Sequence, residues 1–280
     1  MTSSVDDRNG IVGVRTLDDH SDSFITVTDL KASWDGETLA IDGLNMRVRK
    51  GEFVAVLGPS GSGKSTLLHV ISGLLRPVGG SAQINGVTVE RLKEHDDVRI
   101  GYVFQDHRLL PWRTVRQNIE LVLASAKVPA DEWGDRIDHY LHLLGVGALR
   151  DAWPLRLSGG QRQRVSIARA LAIRPAVILM DEPFSSLDEV TARIMRQELV
   201  DLWLGSEQTI IFVTHSIHEA AFLANRIVIL TTAPGRVLEE VSVTYPHPRQ
   251  YEDPRLIEME GTIVGRVLEA WGYTRAADRT

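Results

Sequence analysis

Apolar and polar positions along this chain fall into three patterns, and each predicts a different element. Short unbroken apolar runs predict buried strands at residues 52–57, 100–104, 177–181, 209–213 and 226–230. Before and between the first of these, the pattern is mixed. Residues 24–27 turn strand-like, 46–49 alternate as a strand with one wet face, and 79–86 read as turn, short strand, turn. The third pattern is helical. Residues 65–72 predict a helix that stops at Gly73. Ile137, Tyr140, Leu141 and Leu144 fall at i, i+3, i+4 and i+7, and Gly145 closes that helix. Ser158 caps another, whose buried stripe is Val165, Ala168, Leu171 and Ala172. Asp188 opens a helix to about Leu204, with Gly205 as its stop. Ser216 and Glu219 have capping-box spacing, so Ser216 starts the next. Pro234-Gly235 marks a turn, and residues 246–280 read as a loop and an amphipathic helix.

These elements give an α/β core, a small antiparallel β portion near its start and a helical insertion over about 106–165. Residues 1–23 are rich in Ser, Thr, Asp and Gly and are expected to be a flexible extension; the main domain covers 24–245 and a helical tail 246–280.

Composition narrows the function. The chain has 280 residues and 43% hydrophobic content, enough for a large core. Its net charge of −6 gives no basic field for nucleic acid, so no nucleic-acid partner is expected. Cysteine is absent, which excludes disulfides and thiolate metal sites. No apolar run approaches the roughly 18 residues that span a bilayer. A role at a membrane would need another subunit to supply the span. His139/His142 and His215/His218 are spaced i, i+3, but no carboxylate or cysteine pattern completes a metal site around them.

The chemistry concentrates after the first apolar run. Gly58, Pro59, Ser60, Gly61, Ser62, Gly63, Lys64, Ser65 and Thr66 match G-x-x-x-x-G-K-[ST]. Glycines allow backbone conformations that point several N–H groups at one anion. Lys64 is expected on the β- and γ-phosphates of a nucleoside triphosphate, and Ser65 on Mg²⁺. Strand, loop and helix follow in the order that phosphate binding requires. Gln105, Asp181 with Glu182, and His215 each end a predicted strand, where ligand sites of α/β sheets gather. Asp181 suits a second Mg²⁺ contact, and Glu182 a base facing the γ-phosphate. Trp34 reads either as a partly buried aromatic or as a platform for an adenine ring. Leu109-Leu110-Pro111-Trp112 is local core or a docking patch. Ser158-Gly159-Gly160-Gln161 is a glycine-rich helix start or a second phosphate-binding helix N-terminus, with Arg162 and Arg164 solvated or assisting the anion.

Together these residues resemble the ATP-binding subunit of ABC transporters. The resemblance runs from about residue 24 to 245. It places Walker A at 58–66, the Q-loop at Gln105, the signature at Leu157, Ser158, Gly159, Gly160 and Gln161, and Walker B at 177–181 followed by Glu182. The D-loop is Ser186, Leu187 and Asp188, and the switch histidine is His215. Residues 103–112, 233–236 and 245–249 are further similar to the nitrate/sulfonate/taurine importer class. Trp34 stands where the family has Tyr or Phe, and Ser216 follows the histidine where Asp is common.

The resemblance implies a P-loop NTPase (RecA-like) fold and an ATPase that powers import of a small anion. It implies ATP and Mg²⁺, the metal held by Ser65, Gln105 and Asp181. One chain has one Walker A and one signature, so two copies would pair head to tail to complete two sites. Glu182 would activate water, His215 hold the γ-phosphate and Gln105 sense both Mg²⁺ and water. Integral membrane permease subunits and, indirectly, a solute-binding protein are the implied partners, at the cytoplasmic face of the membrane. The alternatives are a soluble ABC-type ATPase without a transport role and a P-loop small-molecule kinase. The latter has no use for residues 157–161.

Overall fold

The computed structural model describes residues 12–14, 23–95 and 98–271. Strand β1 (Val12–Val14) is followed by β2 (Ser23–Ser33), β3 (Leu39–Arg49), β4 (Phe53–Leu57) and helix α1 (Lys64–Ile71). Then come β5 (Gly79–Ile84), β6 (Val87–Thr88) and β7 (Ile100–Val103). Helices α2 (Val115–Ser125), α3 (Trp133–Leu143) and α4 (Gly159–Ala172) form the inserted part. The chain then alternates through β8 (Val177–Asp181), α5 (Glu189–Leu204), β9 (Thr209–Thr214), α6 (Ile217–Leu223) and β10 (Arg226–Leu230). Strand β11 (Val237–Val243) and helix α7 (Pro254–Ala270) complete it.

The larger sheet has the order β1-β11-β10-β4-β9-β8-β7. From β10 to β7 its strands run parallel; β11 and β1 are antiparallel additions at one edge. The smaller sheet, β3-β2-β5-β6, is antiparallel. The unbroken apolar runs follow from cover on both faces. Phe53, Ala55 and Leu57 of β4 join a core that includes residues of α2 through α7. Val54 and Val56 face the other way, into a core shared with α1 and the antiparallel sheet. Both cores are needed, because a parallel strand is apolar on each side.

Two expectations change. Val12–Val14, expected within a flexible extension, pairs with Val241–Val243 by the register Val12↔Val243 and Val14↔Val241. The open edge of β11 offers unpaired backbone groups, and two β-branched valines suit a strand there. Residues 1–11 and 15–22 of that extension lie outside the described residues. The helix expected after residue 246 begins at Pro254 and buries Leu256, Met259, Ile263 and Val267 in the main core, so the tail shares the core of the domain before it.

The two sheets are tied together by Arg226 at the start of β10. Its guanidinium donates to Glu52 Oε1 at 2.8 Å and Oε2 at 2.9 Å, to Glu240 Oε2 at 2.7 Å, and to the Arg47 carbonyl of β3. Burial lowers the Arg226 pKa, and the hydrogen bonds and charges of Glu52 and Glu240 outweigh that and raise it. Removing the cation leaves two half-buried carboxylates facing each other. Arg226→Ala is expected to cost about 3–5 kcal/mol of unfolding free energy. Urea denaturation checks this; a loss below about 1 kcal/mol, the scale of a surface pair, contradicts it.

Candidate active site

The loop between β4 and α1 is shaped by its own backbone. Gly63 caps α1 with φ of 84°, and a Cβ there would lie 2.6 Å from the Ala40 carbonyl oxygen. Only glycine permits both the left-handed backbone and the close approach. Lys64 Nζ folds back and donates to the carbonyls of Gly58 at 2.8 Å and Pro59 at 2.9 Å. Burial lowers the Lys64 pKa, and the charges of Glu182 and Asp181 oppose that shift. Ser62 Oγ is buried without a hydrogen-bond partner. A buried lone hydroxyl, a lysine and a ring of backbone N–H groups are suited to anionic oxygens.

The acidic side of the site comes from β8. Ser65 Oγ donates to Asp181 Oδ1 at 3.0 Å. Burial raises the Asp181 pKa; the Ser65 bond opposes this and the neighbouring Glu182 charge adds to it. Glu182 takes a left-handed φ of 42°. Its N–H donates to Val213 O at 3.0 Å, and its carbonyl accepts from the N–H and hydroxyl of Ser185 at 3.2 and 3.0 Å. These bonds hold a backbone conformation that is costly for a residue with a Cβ. Its carboxylate reaches His215 on the neighbouring strand end, with Nδ1 to Oε2 3.1 Å. Strand β7 lies beside β8 with Val103 opposite Met180, so Gln105, two residues on, stands at the rim beside Asp181 and Glu182 with its side chain exposed.

The structure thus brings together Lys64, Ser65, Asp181, Glu182 and His215. Trp34 joins from the antiparallel sheet: its Nε1 donates to Thr66 Oγ1 at 3.1 Å, its ring meets the His69 ring edge-on at 5.2 Å, and it remains 61% exposed. It is therefore a surface ring fixed to the start of α1, not a partly buried sheet aromatic.

A second group forms apart from the first. Ser158 caps α4 through a complete capping box: Gln161 N–H donates to Ser158 Oγ at 3.2 Å, and Ser158 N–H donates to Gln161 Oε1 at 2.9 Å. Gly160 packs within 3.0 Å of Thr191 Cγ2, counted from the Cβ it lacks, and Gly159 faces the Ser186 carbonyl. Residues 157–161 and the loop of Ser186, Leu187 and Asp188 therefore share one surface. Among the described residues, no hydrogen bond or ion pair joins that surface to Lys64, Ser65 or Asp181. Arg162 and Arg164, considered as aids to anion binding, are otherwise engaged. Arg162 donates to the Leu157 carbonyl at 2.6 Å, and Arg164 to the Leu144 carbonyl at 2.9 Å and to Glu198. The second capping box is half made: Glu219 N–H donates to Ser216 Oγ, but the Glu219 carboxylate accepts from Thr214 Oγ1 at 2.6 Å.

The apolar cluster after Gln105 divides. Leu109 packs against the main core, and Asn118 pins Leu110 by both its N–H and its carbonyl. Trp112 is 68% exposed. The sequence pattern of the family described as ABC transporter matches residues 41–185. The chain belongs to the ABC transporter family.

Relatives within that family are consistent with the importer class. The chain is 39% identical over 231 residues to the nitrate import ATP-binding protein NrtD of Synechococcus elongatus, covering 80% of this chain and 83% of that protein. It is 41% identical over 218 residues to the aliphatic sulfonates import ATP-binding protein SsuB of Bacillus licheniformis, covering 78% and 83%. The dimeric bacterial ABC transporter cassette MJ0796 superposes with a TM-score of 0.71 at 34% identity, over 79% of this chain and 100% of that one. The same cassette in a dimeric post-hydrolysis state with ADP and Pi gives 0.70 at 33% identity. This chain is an ABC ATPase, the ATP-binding subunit type of a transporter. Among its described residues no helix is long and apolar enough to cross a membrane.

Two contributors to the site were not among the residues expected there. Arg169 of α4 donates to the carbonyls of both His107 and Arg108 at 2.7 Å, and so fixes the loop after Gln105 to α4. Burial pushes its pKa down to about 10. His107 and Arg108 both take positive φ, costly for residues with a Cβ, and the Arg169 bonds to their carbonyls hold that turn. Gly235 is the other. Its N–H donates to Ala40 O at 2.9 Å, and a Cβ would come within 2.1 Å of the Ser62 carbonyl oxygen. The late turn is thus a back wall of the phosphate loop. Gly235→Ala should push Ser62 out of place and weaken ATP binding by about 1–3 kcal/mol. Nucleotide titration checks this; an affinity equal to the unaltered chain contradicts it.

Proposed function

We propose that two copies of this chain pair head to tail and hydrolyse ATP to drive import of a small anion through membrane permease subunits. The observation that carries the proposal is the division of the site: phosphate loop, carboxylates and histidine in one group, signature and D-loop in another on the surface. In a head-to-tail pair, residues 157–161 of one copy face ATP held on the loop of the other. Their helix N-terminus then supplies donors to the charge that builds on the γ-phosphate.

ATP is the substrate. Lys64 and the loop N–H groups hold its phosphates, and the exposed Trp34 ring stacks on adenine. The hydroxyl of Ser65 and carboxylate of Asp181 are hard oxygen donors, as Mg²⁺ requires, and Gln105 at the rim completes the set. An ion held there would neutralise phosphate charge. Glu182 accepts a proton from the attacking water, whose oxygen bonds to the γ-phosphorus as the bond to ADP breaks. His215 holds the γ-phosphate while steadying Glu182, and Gln105 senses the metal and the water. Closing and opening of the pair shifts the permease between states. The names of relatives support a substrate such as nitrate or an aliphatic sulfonate, the sequence resemblance adds taurine to that class, and selectivity resides in the permease and its solute-binding protein. The working place is the cytoplasmic face of the membrane.

Glu182→Gln keeps the shape and loses the base. It is expected to bind ATP normally and to lose about 10²-fold or more in turnover. Phosphate release under saturating ATP checks this; near-normal turnover removes Glu182 from the role.

Trp112 and Pro111 provide the exposed surface beside Gln105 that a short cytoplasmic segment of the permease would cover. Trp112→Ala is expected to leave ATP hydrolysis by the isolated chain intact and to weaken its co-purification with the permease. Unaltered assembly and transport in the variant place the groove elsewhere.

A further inference from the structure

The segment from Tyr245 to Arg249 has no part in the ATP site described above, yet its arginine is almost fully buried. Arg249 Nη1 donates to the carbonyls of Ala221 at 2.7 Å, Phe222 at 3.2 Å and Ala224 at 2.7 Å. Its Nε and Nη2 donate to the Tyr245 carbonyl at 2.9 and 2.7 Å, which closes the segment into a loop around the guanidinium. Ala221 and Phe222 belong to the last turn of α6 and Ala224 follows it. These are the carbonyls that a helix end leaves without partners. A cation also suits the negative end of a helix.

The helix so capped is the one that begins just after His215. It has seven residues, too few to hold itself. The tail grips it along one flank as well. The Tyr251 ring stacks on Phe222 at 4.0 Å and on His218 at 5.0 Å, and His218 Nδ1 lies 2.6 Å from Glu260 Oε1 of α7. On the inner side Glu219 accepts from Thr214 and pairs with Arg196 at 3.1 Å. Just before this helix the His215 side chain, 64% exposed, meets Glu182 through Nδ1.

We propose that Arg249 is a positioning residue for ATP hydrolysis: by closing the C-terminal end of α6 it holds His215 against Glu182. The proposal rests on the roles given above to Glu182 and His215. It differs from a purely stabilising arginine in one respect. A stabilising arginine affects how much chain is folded; a positioning one affects where His215 lies in the chain that is folded.

The test uses the full chain labelled with ¹⁵N-histidine, with the His215 ring resonances assigned by their loss in His215→Ala. In folded Arg249→Ala those resonances should shift or broaden. Turnover should fall about 10-fold with KM within about two-fold, the split that marks loss of an interaction in the transition state. Arg249→Lys keeps the charge and up to three donors, and should recover part of both signals. Should Arg249→Ala fail to fold, Arg249→Gln, which keeps an amide donor for the α6 carbonyls, takes its place with smaller effects in the same direction. Unmoved His215 resonances or undiminished turnover in the folded variant overturn the positioning role. If His215→Ala itself keeps full turnover, the catalytic reading of His215 fails, and the proposal fails with it for that separate reason.

Discussion

A buried ammonium held near two carboxylates is the constraint on which this structure depends. Lys64 is largely removed from water, and so is Asp181. Each is costly alone in such a place. Asp181 and Glu182 repel each other, and the Ser65 hydroxyl, Lys64 and His69 act against that at Asp181 while His215 meets Glu182. The arrangement is stable only with the charges fixed at these spacings. The fold supplies that fixity: β4, β9, β8 and β7 are neighbours in one parallel sheet, and their carboxyl ends deliver the phosphate loop, His215, Asp181 with Glu182, and Gln105 in that order. Parallel strands covered on both faces move little, so the groups at their ends are held to the same accuracy as the core.

Much of this was legible in the sequence because its causes are local. A phosphate cradle is made of backbone N–H groups, and glycine at positions such as Gly63 is the residue type that permits it. Unbroken apolar runs ending in Gln105, Asp181 and His215 show strand ends directly, since a buried parallel strand has no polar face to interrupt it. The cap at Ser158 is equally local, and Gln161 three residues on completes a capping box there.

What stayed hidden depends on contacts between distant segments. Arg169 looks like an ordinary helix arginine, and Arg249 stands out only as part of a resembling stretch; their meaning comes from carbonyls 61 and 28 residues away. Gly235 reads as a turn glycine, and only the folded chain shows it against Ser62. Glu219 had the spacing to complete a capping box, but a closer hydroxyl and Arg196 took its carboxylate. Val12–Val14 sits in a polar stretch whose composition outweighs three residues, and the free edge of β11 decides its state.

The site is divided between two surfaces of one chain, and the account requires that a second copy bring them together around ATP. Sedimentation of Glu182→Gln protein with and without MgATP measures this most directly, since slow turnover leaves ATP in place. The expected result is a monomer without nucleotide, a dimer with ATP, and a monomer again when Ser158→Arg is added to block the signature helix. A monomer at every ATP concentration, or a dimer indifferent to ATP and to Ser158→Arg, would contradict the shared site.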